Sequence, residues 1–204
     1  QRAHWRGSGG DLLIAIAVAI VMAAAWTARG WPMLSAMHLP DTDDVMRLQQ
    51  IRDWLAGQAF DDLSQHRLGA QGLAMHWSRL PDLVPAAIIF KLTPLLGTAR
   101  AELVAVILWP TLLFACALFL IASIARRLDP GSARTAVIVA AIGYPATTLF
   151  LPGRIDHHGF QVVLLLVIVR ALLAGAGRVS GATIAVAACA SIVIGLETAP
   201  FLAL

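Results

Sequence analysis

Leu83-Val84-Pro85-Ala86-Ala87-Ile88-Ile89-Phe90-Lys91-Leu92-Thr93-Pro94-Leu95-Leu96 is apolar enough to enter a bilayer, but it carries Lys91 and is interrupted by Pro85 and Pro94. It falls short of the ~20 residues a helix needs to cross ~30 Å of hydrocarbon. If it crossed, Asp41-Thr42-Asp43-Asp44 before it and Asp156-His157-His158 after it would face opposite compartments. If it lies in the interface, Arg2/Arg6, Arg126/Arg127/Arg134 and Arg178 all fall on the cytoplasmic side, as short loops require. The second arrangement fits better. It predicts an all-α membrane protein with about five spans, near 11–27, 101–125, 134–152, 160–175 and 181–204. An external loop over 28–100 would contain amphipathic or interfacial helices, and both acidic motifs would face one aqueous compartment.

Composition supports this class. Of the residues, 59% are hydrophobic and 13% charged, with a mean hydropathy of +0.78, which places the chain among proteins with long apolar runs. Leu12–Trp26 follows Arg2 and Arg6 as a signal peptide would, but no small-residue cleavage site follows, so it reads as an uncleaved first span. A net charge of +3 with scattered arginines leaves no nucleic-acid footprint. Cys116 and Cys189 sit mid-span as small apolar residues. One lysine among fifteen basic residues points to a GC-rich bacterial genome. The chain opens on Gln1 and closes inside an apolar run at Leu204, so it is expected to be the N-terminal part of a longer protein.

Within the loop, Pro40 followed by Asp41, Thr42, Asp43 and Asp44 predicts a helix start, since acids suit the positive end of the helix dipole. Val45, Leu48, Ile51 and Leu55 mark an apolar stripe, and Gly57 ends the helix. Gly69, Gly72 and Met75–Arg79 read as turn-rich. Pro152–Phe160 is a short connection that needs no charge to turn, yet it holds Arg154, Asp156, His157 and His158. One Asp with two His offers the oxygen and nitrogen donors that first-row divalent ions accept. Arg154 is suited to a phosphate, with His76 and Arg79 as further phosphate or substrate contacts. Each feature also has a plain reading: the aspartates as a helix cap, Arg154 snorkelling to headgroups, and His76 and Arg79 as solvated surface. Glu197 is costly in its apolar run without a partner or cavity.

The order of these parts resembles the GT-C class of polyprenyl-phosphate-dependent membrane glycosyltransferases, most closely the catalytic subunit of oligosaccharyltransferase. Asp43 through Arg52-Asp53-Trp54-Leu55-Ala56-Gly57 is similar to that family's catalytic aspartate and first external helix. Pro152-Gly153-Arg154-Ile155-Asp156-His157-His158 stands where it carries its second acidic motif. The resemblance implies a divalent cation, Mn²⁺ or Mg²⁺, on Asp43, Asp156 and His158, with His158 replacing the usual second acid. It implies catalytic roles for Asp43 and Asp41, a polyprenyl-linked sugar donor, and periplasmic active-site loops on the bacterial inner membrane. Two other readings stand beside it. One is a non-catalytic membrane subunit that partners other membrane subunits. The other is a transporter with Glu197 and Arg170 on an ion path, disfavoured because no paired half-helices or repeats are visible.

Overall fold

The computed structural model describes residues 8–202, so Arg2, Arg6 and the last two residues of the expected final span lie outside it. It is mostly helical: α1 (Ser8–Ser35), α2 (Thr42–Leu55), α3 (Leu83–Leu96), α4 (Thr98–Leu128), α5 (Ala133–Ala141), α6 (His158–Leu172), α7 (Arg178–Ile194) and the short α8 (Ala199–Leu202). Two strands of two residues each, β1 (Ser64–Gln65) and β2 (Leu73–Ala74), form an antiparallel hairpin between α2 and α3.

Two helices are long and apolar enough to cross a membrane, α1 with 28 residues and α4 with 31. At 1.5 Å per residue they reach roughly 42 and 46 Å. Leu34 is buried near the end of α1, and over its first half the buried positions are Asp11, Ala15, Ala19 and Ala23, one stripe at four-residue spacing. Its large apolar side chains point the other way, with Leu13 70% and Val21 66% exposed. Small residues inside and large ones outside is the packing of helices in lipid, where close backbone approach drives association. In water the same surface would be a large unprotected apolar patch.

The central helix is α4, which packs against α1, α3, α5 and α6. Leu83–Leu96 forms the 14-residue helix α3, about 21 Å long. Gly97, at φ +77°, lets α3 double back on α4, and Pro85, Ala86 and Ile89 are buried. The expected third span, 134–152, is not one helix. It is the nine residues of α5, an irregular turn through Gly143-Tyr144-Pro145, and a 3-10 turn over Ala146–Phe150. Pro145 has no N–H to continue the ladder. Phe150 stacks on Phe114 of α4 with ring centroids 5.3 Å apart, which holds the broken segment against the bundle.

Ion pairs identify the two ends of the bundle. At one end Arg126 of α4 makes a bidentate pair with Asp11 of α1, at 2.7 and 2.5 Å. Arg127 there donates to the Leu173 carbonyl after α6, at 3.1 Å, and Arg170 donates to Ser123 Oγ at 2.8 Å. At the other end α1 gives way to α2, α4 begins, and α6 starts from the short connection over 151–157. Arg52 of α2 pairs bidentately with Glu102 of α4 at that end.

The connection is seated by a defect in α4. Pro110 removes the N–H that would bond the Val106 carbonyl, and the Gly153 N–H takes that carbonyl at 2.8 Å. Gly153 adopts φ +95°, and a Cβ there would lie 2.8 Å from Pro40 Cδ. Only glycine fits between α4 and the approach to α2.

Candidate functional site

The site forms where the start of α2 meets the 151–157 connection. Asp41 caps α2 by accepting the Asp43 N–H at 3.3 Å, in extended backbone conformation. Three positions on, Asp44 is fully buried. Its Oδ1 accepts two backbone N–H groups from the distant connection, Ile155 at 2.8 Å and Asp156 at 2.9 Å. Arg154 lies between the motifs. It donates through Nη2 to Asp156 Oδ2 at 2.6 Å and through Nη1 to Asp41 Oδ2 at 3.2 Å. Asp44 Oδ2 is 3.4 Å from the same Nη1. Asp156 Oδ1 accepts the His158 N–H at 3.1 Å, at the start of α6. Two acidic motifs more than a hundred residues apart thus converge on one guanidinium.

Burial, and then the neighbouring Asp156 carboxylate, push the Asp44 carboxyl up to about 7. Asp41 moves the other way, lowered by the Asp43 N–H and by Arg154. One carboxyl at the cluster is therefore close to half-protonated near neutral pH.

Asp43 does not join the cluster. Asp44 lies on the face of α2 that is buried through Arg47, Leu48 and Ile51; Asp43, about 100° round the helix, is half-buried and its carboxylate bonds no other described residue. The buried face of α2 also differs from the expected apolar stripe. Val45 and Leu55 are exposed, while Asp44, Arg47, Gln49 and Gln50 are inside. Asp44 is tied to the 151–157 connection, and the other three are tied to the hairpin region. Arg47 Nη1 donates to Asp82 Oδ1 and to the Ser78 carbonyl, both at 2.9 Å, and its guanidinium lies 4.9 Å from the Trp77 ring centre. Gln50 donates to Asp82 Oδ2 at 2.9 Å and accepts from the Trp77 indole at 2.8 Å.

Arg79 is committed to partners within the protein. It is buried, and its Nη groups donate to the Gln50 carbonyl, the Gln58 side chain and the Asp62 carbonyl, so it clamps the hairpin region to α2. His76 is exposed beside Trp77, with ring centroids 5.3 Å apart. Both line a cavity of about 510 Å³ with His157 and Glu197, within the size range of small-molecule sites.

The resemblance implies a role for His158, whereas it is His157 that the fold buries between charged partners. His157 is buried, its Nδ1 3.3 Å from Arg47 Nη2 and its Nε2 3.1 Å from Glu197 Oε1. A guanidinium can only donate, so Nδ1 is the acceptor and the neutral ring carries its proton on Nε2, toward Glu197. Burial lowers the His157 pKa and favours that neutral form. Glu197 does not lie within a span: Gly195 ends α7, and the carboxylate accepts from His157 and from Gln161, the latter at 2.9 Å. His158 is half-buried, its ring 4.4 Å from that of His157.

As folded, the expected ligand set does not fit a divalent ion. Asp156 commits one oxygen to the His158 N–H and the other to Arg154, and Asp43 stands apart from that cluster. Among the described residues, no three His, Cys, Asp or Glu side chains are grouped to hold a metal. Among the described residues, the cation that pairs with the converging carboxylates is Arg154.

No family model, curated protein or solved structure matches the chain. Its functional reading therefore rests on the site itself.

Proposed function

We propose that the chain is the transmembrane part of a GT-C-type glycosyltransferase, crossing the bacterial inner membrane five times. It would move a sugar or glycan from a polyprenyl-phosphate or pyrophosphate carrier to an acceptor on the periplasmic face. The observation that carries this reading is the junction of Asp44 with the Ile155 and Asp156 N–H groups, which joins the two acidic motifs at one end of the bundle. Arg126 and Arg127 lie at the opposite end with Asp11 and the close of α6, which supports the positive-inside orientation.

In this reaction the bond between the anomeric carbon and the phosphate oxygen breaks, and the electron pair stays on the phosphate. A new bond forms to the acceptor atom, whose proton passes to a carboxylate. Asp43 suits the last role. It opens an external helix, is partly open to water, and is free of other hydrogen bonds within the described residues. Asp41 is less suited, because its oxygens hold the Asp43 N–H, Thr42 Oγ and Arg154. Arg154 is placed to meet the charge that builds on the departing phosphate. The cavity beside His76 and His157 has room for the transferred group.

Asp43→Ala separates the enzyme from an accessory subunit. Transfer from undecaprenyl-phosphate-linked sugars in membranes should fall by at least ~100-fold, the usual worth of a positioned general base. Thermal stability should fall by no more than about 1 kcal/mol, the worth of one acid in a helix's first turn, because the side chain makes no other bond among the described residues. Unaltered transfer by the variant would exclude the assigned role, and a wild-type chain inactive with every donor would favour the accessory role.

A further inference from the structure

We propose that the Arg154 guanidinium is the resident cation of this site, standing where the resemblance implies a divalent metal, so that the site works without one. This inference rests on the glycosyltransferase reading for its purpose, though not for its geometry. Three carboxylates converge on the guanidinium: Asp156 at 2.6 Å, Asp41 at 3.2 Å and Asp44 at 3.4 Å. They come from two segments that meet only in the folded chain. Oxygens from separate segments gathered around one positive charge is what a metal centre looks like, but here the charge is covalently attached.

Two features show that the arginine is seated there by the fold. Its side chain is only 15% exposed, and residues on both sides of it are pinned: the Gly153 N–H by the Val106 carbonyl, and the Ile155 N–H by Asp44. Asp44 Oδ2 is also buried without a hydrogen bond, its nearest positive charge being Arg154 Nη1. A divalent ion would need that oxygen together with Asp156 Oδ2, and would have to expel the guanidinium to reach either. Expulsion would strand a cation against the protein interior, where an unpaired charge costs several kcal/mol. An arginine fixed in this way keeps one Nη2 N–H beyond its bond to Asp156 that can reach a phosphate, while its Nε is buried.

The probe is Mn²⁺ alone, followed by its paramagnetic resonance signal, with the full chain in nanodiscs of zwitterionic phosphatidylcholine. Wild type should take up no Mn²⁺ at the cluster at concentrations up to about 1 mM, the weak end of protein sites for divalent ions. Arg154→Gln removes the cation that Asp41, Asp44 and Asp156 share and should bind one Mn²⁺ at least ~10-fold more tightly than wild type, with the gain abolished by Asp156→Ala in the same chain. One Mn²⁺ bound by wild type and lost in Asp156→Ala would overturn the proposal, and this arm does not depend on how Arg154→Gln folds. A folded Arg154→Gln chain that gains no Mn²⁺ would also overturn it. Wild-type uptake that survives Asp156→Ala would place the ion elsewhere and uphold Arg154 as the cation here. Absence of glycosyl transfer would remove the proposed function and leave the Mn²⁺ result standing.

Discussion

Arg47→Met should destabilise the chain by about 3–5 kcal/mol, the cost of breaking a buried ion pair by removing one partner. Arg47 is 1% exposed and Asp82 fully buried. Only Gln50 would remain to hold the Asp82 carboxylate, and His157 would lose its donor at Nδ1. Burial already pushes the Asp82 carboxyl upward, with Arg47 opposing, so loss of the arginine should let Asp82 take a proton and limit the damage at low pH. Reversible unfolding in mixed detergent micelles would measure it. Replacing both partners, Arg47→Met with Asp82→Leu, should recover most of the loss, because two apolar side chains leave no buried charge. A single variant within about 1 kcal/mol of wild type would show that the pair does not hold the hairpin region to α2.

Asp44→Ala should cost about 2–6 kcal/mol, since two backbone N–H groups lose their acceptor at roughly 1–3 kcal/mol each. Asp44→Asn keeps an acceptor oxygen and should retain most of the stability. The pair also tests the carboxyl's titration. With a folded pKa of about 7 against an ordinary 3.8, the native chain holds a proton that the unfolded chain has released. The stability this proton contributes is complete below about pH 4 and is lost as pH rises through 7. Wild type should therefore lose stability relative to Asp44→Asn between pH 5 and 8. A flat difference across that window would mean Asp44 is ionised throughout.

Much of the architecture was legible in the apolar runs, because a helix in lipid needs length and little else. The outlines of α1, α4, α6 and α7 follow them, although α1 continues to Ser35. The break after α5 was signalled by Gly143 and Pro145, but the hydrophobicity of Thr135–Leu151 masked it. At the site, the two motifs were readable as motifs, and their partners were not. Apolar periodicity picks out Leu48 and Ile51, yet it cannot register that Asp44, Arg47 and Gln50 share their face, because buried polar groups are fixed by partners distant in sequence. The i, i+3, i+6 spacing of those three residues was the available signal. That Asp44 is buried while Asp43 stays partly open turns on one step of helix rotation, which a motif alone does not specify. His157 was hidden for a similar reason, since its partners Arg47 and Glu197 lie 110 and 40 residues away.

That the cluster is built around Arg154 to receive a lipid-linked phosphate is tested most directly by binding of undecaprenyl phosphate to the full chain in phosphatidylcholine nanodiscs, measured by native mass spectrometry. Wild type should bind one molecule saturably and in preference to phosphatidylglycerol. Arg154→Lys should bind more weakly, because an ammonium cannot hold the carboxylates in the guanidinium's planar geometry and still present an N–H outward, and Arg154→Gln should lose at least ~10-fold in affinity, about the value of one charge-assisted hydrogen bond. Equal binding of undecaprenyl phosphate by wild type and Arg154→Gln, or no preference for it over phosphatidylglycerol, would contradict the assignment of this site.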